Sequence, residues 1–290
     1  MYKQVNENLK LYKARGVLCH LLPKVLKYSI GFLYISLIKC IYCRHRRTLV
    51  QSLNHVLSRD ADSEGIRALV VTAHPDDECM FFAPTIVRLV ELNASVQLLC
   101  LSEGNYYNQG AQRKQELLNS CTVLGIPASR ITIVDHKKLP DDPKAEWSIS
   151  LVSSEILKHI RAHSVNMVLT FDGRGVSSHA NHIAIHNAVS ERLTTLTALS
   201  FLSDCTLLSL VTVGLLRKYI SFLDVPLSWL LPSRLCCIIG SQGYKQAKAA
   251  MLCHRTQLLW FRYLYITFSR YMFVNTFQTI PQGPKNLKIY

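Results

Sequence analysis

The chain has 290 residues, with 33 basic against 19 acidic side chains for a formal charge of +14, and 49% of it is hydrophobic. That apolar content excludes intrinsic disorder as the main state, and the length fits one α/β domain plus an appendage. The positive excess suits an anionic membrane surface or a phosphate-bearing substrate. With no zinc-finger spacing and no aromatic-rich RNA motif, a nucleic-acid partner is not expected.

The first expected element is a helix over residues 25–43, apolar apart from Lys27 and Lys39 and flanked by Lys24, Arg44, Arg46 and Arg47. Nineteen residues make about 28 Å of helix, against a hydrocarbon core of about 30 Å. Both lysines are placed to snorkel toward headgroups. A cleaved leader is not expected, because no small-residue site follows the apolar run. A single span is favoured over a helix lying in the interface, and two basic flanks leave its orientation open. Residues 1–47 are therefore expected to form a membrane anchor. Residues 48–66, with Asp60, Asp62, Ser63, Glu64 and Gly65, are expected to form a linker.

From Arg67 onward apolar runs alternate with helical patterns, the signature of a mostly parallel, Rossmann-like sheet flanked by helices. Strands are expected at Arg67–Ala73, Ser95–Leu101, Ile131–Asp135, Val165–Phe171, Leu207–Val213 and Leu235–Ile239. Helices are expected at Phe82–Leu92, Gln112–Leu124, Ser150–His163 and Tyr244–Trp260. No G-x-G-x-x-G turn follows the first strand, which argues against a dinucleotide cofactor. The ten cysteines form no disulfide framework and read as reduced, buried thiols. The stretch 258–273 mixes aromatics with Arg262 and Arg270, which suits either a bilayer headgroup layer or a packed helix with snorkelling arginines.

The chemistry concentrates at two strand ends. His74-Pro75-Asp76-Asp77-Glu78 follows the first strand, where the ligand crevice of an open α/β sheet lies. Two acids and an imidazole crowded there repel one another unless a cation sits among them. His179-Ala180-Asn181-His182 follows the fourth strand. Together they supply the His and Asp donors of a zinc site with a position left for water, whose pKa such a metal lowers to about 7. The residues alone leave open which of Asp76 and Asp77 binds metal, and either also suits a helix start. His182 and His186 form a rival i, i+4 pair, but Ile183 stands where a zincin needs Glu. Iron, cobalt or manganese would suit the same donors.

These motifs carry a resemblance. Ala73-His74-Pro75-Asp76-Asp77-Glu78 followed by Ser178-His179-Ala180-Asn181-His182 resembles the LmbE-like family of zinc-dependent N-acetylglucosamine deacetylases. Leu101-Ser102 with Gly104–Gly110, and Cys253-His254-Arg255 with Gln257–Phe261, resemble its branch in glycosylphosphatidylinositol (GPI) anchor synthesis. The likeness runs from about Arg67 to Phe273.

The resemblance implies zinc on His74, Asp77 and His182, Asp76 as general base, and His179 as acid or oxyanion stabiliser. It implies the substrate N-acetylglucosaminyl-phosphatidylinositol, with Arg113, Asn105 and His254 on the substrate side. It also implies an endoplasmic reticulum membrane protein whose domain, residues 67–257, faces the cytosol, with 258–290 as an aromatic and basic tail. Glu78, Asp172 and Asn181 are expected to hold the ligands or His179 in place. Asn181 departs from many members, which carry Asp there, and an Asn cannot hold His179 by a charged contact. Two other classes compete: a metal hydrolase of another amide or phosphoester, and a silent phosphoinositide-binding adaptor. Protein partners are not legible in the sequence.

Overall fold

The computed structural model describes residues 2–57, 65–142, 144–193 and 205–280, with side chains from Leu26 onward except 192 and 193. The linker markers Asp60, Asp62, Ser63 and Glu64, and residues 281–290 of the tail, lie outside the described residues. The chain divides into two compact units, 1–44 and 45–290.

The first unit belongs to helix α1 (Tyr2–Val56). Its apolar side chains face outward: Tyr28 is 77% exposed, with Phe32 and Leu33 exposed beside it. One stretch of α1 is long and apolar enough to cross a membrane. Cys40 and Cys43 are exposed there, against the expectation of buried thiols.

The second unit takes in the end of α1. The expected linker is helical as far as Val56, because Leu49, Leu53 and Val56 recur at helical spacing and are buried in the core. There follow β1 (Arg67–Thr72), α2 (Asp77–Phe81), α3 (Ala83–Glu91), β2 (Ser95–Cys100), α4 (Gly110–Leu124), β3 (Ile131–Ile133), α5 (Ile149–Ala162) and β4 (Met167–Phe171). Beyond them lie α6 (Ala180–Asn187), β5 (Thr206–Leu210), α7 (Val225–Leu230), β6 (Leu235–Ile238), α8 (Ser241–Met251), α9 (Trp260–Phe268) and β7 (Val274–Thr279).

The strands form one sheet in the order β3-β2-β1-β4-β5-β7-β6. β3, β2, β1, β4 and β5 are parallel neighbours; β7 runs antiparallel between β5 and β6. Ala68 to Val71 of β1 are fully buried, as a strand covered by helices on both faces must be. The mostly parallel sheet is thus as expected, while β7 was not anticipated.

Connectivity places the site. After β1 the chain winds outward through β2 and β3, then returns to lay β4 on the other side of β1. The crevice at the carboxyl ends of β1 and β4 is the topological switch point, where ligands of such sheets bind. Their register, Ala68 opposite Met167 and Val70 opposite Leu169, lets both strands end on that crevice.

The helix expected over Tyr244–Trp260 stops at Met251, and only a 3-10 turn, Arg255–Gln257, lies between it and the start of α9 at Trp260. The break lets His254 turn inward, and Glu116 accepts hydrogen bonds there from the Thr256 N–H (2.9 Å) and hydroxyl (2.6 Å).

Candidate active site

The loop after β1 is organised by its own acids. One Asp77 oxygen accepts the backbone N–H groups of Ala73 (3.0 Å) and His74 (2.9 Å). The other lies 3.2 Å from His182 Nε2. Asp76 has φ 115°, left-handed space that non-glycine residues rarely adopt, at a cost of about 1–3 kcal/mol. Glu78 holds it there: one of its oxygens accepts the Asp76 N–H at 3.0 Å. Its other oxygen accepts the Ser120 hydroxyl (2.5 Å) and meets His254 Nε2 (2.7 Å), all three side chains being buried.

The second cluster opens α6. His179 precedes the helix in extended backbone, and one turn on His182 points back to the sheet. Its Nδ1 lies 3.1 Å from the Gly175 carbonyl, which orients the ring so that Nε2 faces Asp77. Its ring stacks on Phe171 at 3.8 Å. Gly175 has φ +55°, and a Cβ there would sit 3.1 Å from His182 Cβ, so any side chain here would be strained and would crowd His182. The His74–His179 and His179–His182 ring centroids are each 4.8 Å apart. Asn181, fully buried, places its amide 3.0 Å from His74 Nε2 and not on His179.

Burial lowers the His74 imidazole to about 4 despite Asp77 and Asp141 beside it, so it is neutral at pH 7. Burial, with His182 nearby, also lowers His179. Burial alone would raise Asp77, but His182 and His74 outweigh it and hold the carboxyl well below its ordinary range. Asp76 moves the other way: burial raises it, Arg262 and Arg113 oppose, and Asp77 adds to the rise. Neighbouring carboxylates in such opposed environments differ in basicity and suit different chemical parts.

A divalent cation fits this donor set. Nitrogen atoms of His74, His179 and His182 lie within 4.8 Å of one another, and the Asp77 carboxylate touches His182. His179 Nδ1 and Asn181 Oδ1 are buried without a hydrogen-bond partner. Three imidazoles and a carboxylate around such orphaned atoms match the preferences of zinc. A second group, Glu78, Cys79 and His254, is accounted for by the Glu78–His254 pair. His186 stands apart, its Nδ1 bonded to the Phe171 carbonyl at 3.1 Å, so the rival His182/His186 pair is not assembled.

The cluster opens on a cavity of about 410 Å³ lined also by Asp76, Tyr106, Tyr107, Arg113 and Arg262. Arg113 lines it, its guanidinium tied down by the carbonyls of Gly104 (3.0 Å) and Pro75 (2.6 Å) and by Asp141 (2.9 Å). Gly104 has φ +73°, and a Cβ there would lie 2.6 Å from that guanidinium. Asn105 is not part of this lining; its side chain accepts the Gly110 N–H at 3.0 Å and starts α4. His254 is buried on Glu78 and is not part of this lining either. Glu78 supports Asp76, not a ligand. Asp172 accepts from Arg174 N (3.1 Å) and from the Thr212 N–H (2.7 Å) and hydroxyl (2.5 Å), fixing the turn that carries Gly175 and not His179.

Two residues at the site were not anticipated. Asp141 sits 3.2 Å from His74 Nε2, its loop pinned where Trp147 donates to the Pro140 carbonyl. Arg262 donates to Asp76 at 2.8 Å. Asp141 follows the third strand, so the crevice rule that singled out His74 points to it also. Arg262 had no local signal.

The family described as PIG-L, GlcNAc-PI de-N-acetylase, matches residues 69–193. The N-acetylglucosaminyl-phosphatidylinositol de-N-acetylase of Bos taurus is 50% identical over 213 residues, covering 73% of this chain and 83% of the relative. A probable enzyme of the same name from Dictyostelium discoideum is 34% identical over 251 residues, 77% of this chain and 97% of its own. Among solved structures, N,N'-diacetylchitobiose deacetylase from Pyrococcus horikoshii superposes with a TM-score of 0.56 at 16% identity, covering 84% of this chain and 96% of its own. At that identity the likeness shows the fold.

Proposed function

Because the chain belongs to the PIG-L family of GlcNAc-PI de-N-acetylases, we propose that it hydrolyses the N-acetyl group of N-acetylglucosaminyl-phosphatidylinositol, releasing acetate and the free amine. Zinc is the cation this reading takes, on His74, Asp77 and His182, with His179 turned toward the same point. When bound, it supplies Lewis-acid polarisation and acidifies water.

The carrying observation is Asp76. It is a buried carboxylate at the switch-point crevice, lifted above its ordinary range and facing the cavity beside the imidazole cluster. A carboxylate made more basic by burial suits removal of a proton from water as that water attacks the acetyl carbonyl. Arg262 keeps its carboxylate in place, and Glu78 fixes its backbone. His179, neutral at pH 7, suits donation of an N–H hydrogen bond to the developing oxyanion. The C–N bond then breaks as the amine gains its proton.

The substrate is a membrane lipid, and the apolar helix is suited to a single span. The reading places the protein in the endoplasmic reticulum membrane with the catalytic unit on the cytosolic side, which protease protection of intact microsomes tests. The activity is tested with the full chain in micelles, scoring acetate released from the acetylated glycolipid against phosphate released from generic phosphoesters. Acetate release lost in Asp76→Asn supports the reading, whereas phosphate release alone excludes it.

A further inference from the structure

Beside the active-site cavity lies a second one of about 530 Å³, walled by Tyr219, Phe261, Leu264, Tyr265 and Phe268. Met80, Phe81, Ser177 and Arg262 line both, so the two compartments share a partition. The second is mostly apolar, and its rim is open: Leu264 and Phe268 are about half exposed, and Leu216, on the turn Leu215–Lys218, is 84% exposed.

One cation in this wall is unlike its neighbours. Arg217 is paired with Asp224 (2.8 Å), Arg270 with the same carboxylate (2.8 Å), and Arg262 with Asp76 (2.8 Å). Lys218 has no carboxylate partner among the described residues; its ammonium lies 5.6 Å from the Tyr219 ring. Burial lowers its pKa, the mark of a charge drawn out of water without compensation. An anion delivered to this wall would supply that compensation.

We propose that this second cavity is the subsite for the lipid part of the substrate, with Lys218 taking the phosphodiester and the Phe261–Phe268 wall taking the first segment of an acyl chain. The inference rests on the glycolipid reading above. A ligand whose amide lies beside Asp76 and whose next groups are an anion and hydrocarbon matches a polar site that shares a partition with a cavity lined by a cation and an apolar wall. The shared partition keeps the reacting amide and the phosphodiester within one ligand's reach. Affinity for the lipid then comes from apolar burial and one charge contact, both remote from the bond that breaks.

The test uses the full chain and three substrates: N-acetylglucosaminyl-inositol, its methyl phosphodiester, and a dihexanoyl glycolipid held below its micellar concentration. Lys218→Gln should raise KM for both phosphate-bearing substrates about tenfold relative to the phosphate-free one, the worth of one hydrogen bond to a charged group. Lys218→Arg should restore it. Leu264→Asn with Phe268→Ser should raise KM for the tailed substrate alone, by about tenfold for two methylenes left in water. Thermal melting checks that each variant folds. Equal KM changes on all three substrates would overturn the subsite in favour of a packing role. An unchanged KM for the tailed substrate would mean that the chains stay outside the protein, and also overturns it. If the unsubstituted chain releases acetate from none of the three, the glycolipid reading falls, and the subsite falls with it for a different, recognisable reason.

Discussion

At Asp76 a strained backbone and a buried carboxylate meet; Glu78 holds the first and Arg262 the second. Asn tolerates left-handed backbone better than most residues, so Asp76→Asn should keep the fold and the metal. It should lower kcat by about 10²–10⁴-fold, read by acetate release beside metal analysis. Loss of metal with the substitution would exchange the roles of Asp76 and Asp77. His182→Ala should empty the site of metal, while His186→Ala, whose imidazole is bonded to the Phe171 carbonyl, should not. Retention of metal by His182→Ala would transfer that ligand's place to His179. The Glu78–His254 pair gives a pH dependence whose sign follows from its two shifts. Burial would raise Glu78, but His254 overrides it and lowers it from 4.5, so its contribution exists above that value and fades as pH falls. Burial would lower His254, but Glu78 overrides it and raises it from 6.5, so its contribution is full below that value and fades as pH rises through the raised one. Thermal stability from the pair should therefore be greatest between about pH 4.5 and 6.5. Glu78→Gln with His254→Gln should flatten that maximum; an unchanged Tm profile would contradict it. Breaking the pair by His254→Ala alone should cost about 3–5 kcal/mol.

Elements differ in how much of them their sequences disclosed, and the difference has a physical source. β1 and β4 are buried on both faces, so each is a near-continuous apolar run ending at a loop that carries one of the two motifs, and both motifs were placed on strand ends correctly. The end of α1 was hidden because Leu49, Leu53 and Val56 are diluted by polar residues that face water. Leu53→Ala should cost about 2–5 kcal/mol if this turn belongs to the core, and near nothing if it is a linker, as urea denaturation would show. In the stretch 258–273 the two arginines were expected to snorkel or to sit at headgroup level. Neither snorkels: Arg262 turns in to Asp76, and Arg270 lies fully buried on Asp224. An ion pair between residues 186 positions apart leaves no periodic trace in a sequence. Because Arg262 opposes the rise in Asp76, Arg262→Gln should move the acid limb of the kcat/KM profile to higher pH by about one unit. A limb that stays in place would separate Arg262 from the ionisation that governs the rate.

For the whole molecule, tethering and catalysis should separate. Deleting residues 2–44 removes the first unit and leaves the second, with its buried Leu49, Leu53 and Val56, complete. Hydrolysis of a soluble N-acetylglucosaminyl-inositol phosphate should persist within about twofold, while turnover of the lipid in vesicles should fall by about tenfold or more. Equal loss on both substrates would make the first unit part of the catalytic fold. The sheet order carries a consequence of another kind. β7 lies between β5 and β6, and β6 pairs with no other strand among the described residues. Asn275, on β7, also donates to the Phe81 carbonyl and accepts the Thr85 hydroxyl, so this strand braces the helices that follow the His74–Glu78 loop. During synthesis the ribosome delivers β6 well before the strand that will join it to the sheet. The half-made protein must therefore wait with an open seam between β5 and β6, and its reaction centre is braced only once the ribosome has passed Thr279. A chaperone that shields exposed strand edges is the helper such a nascent chain would call for, and a premature stop before Val274 should leave an inactive, aggregation-prone protein, however intact its metal ligands.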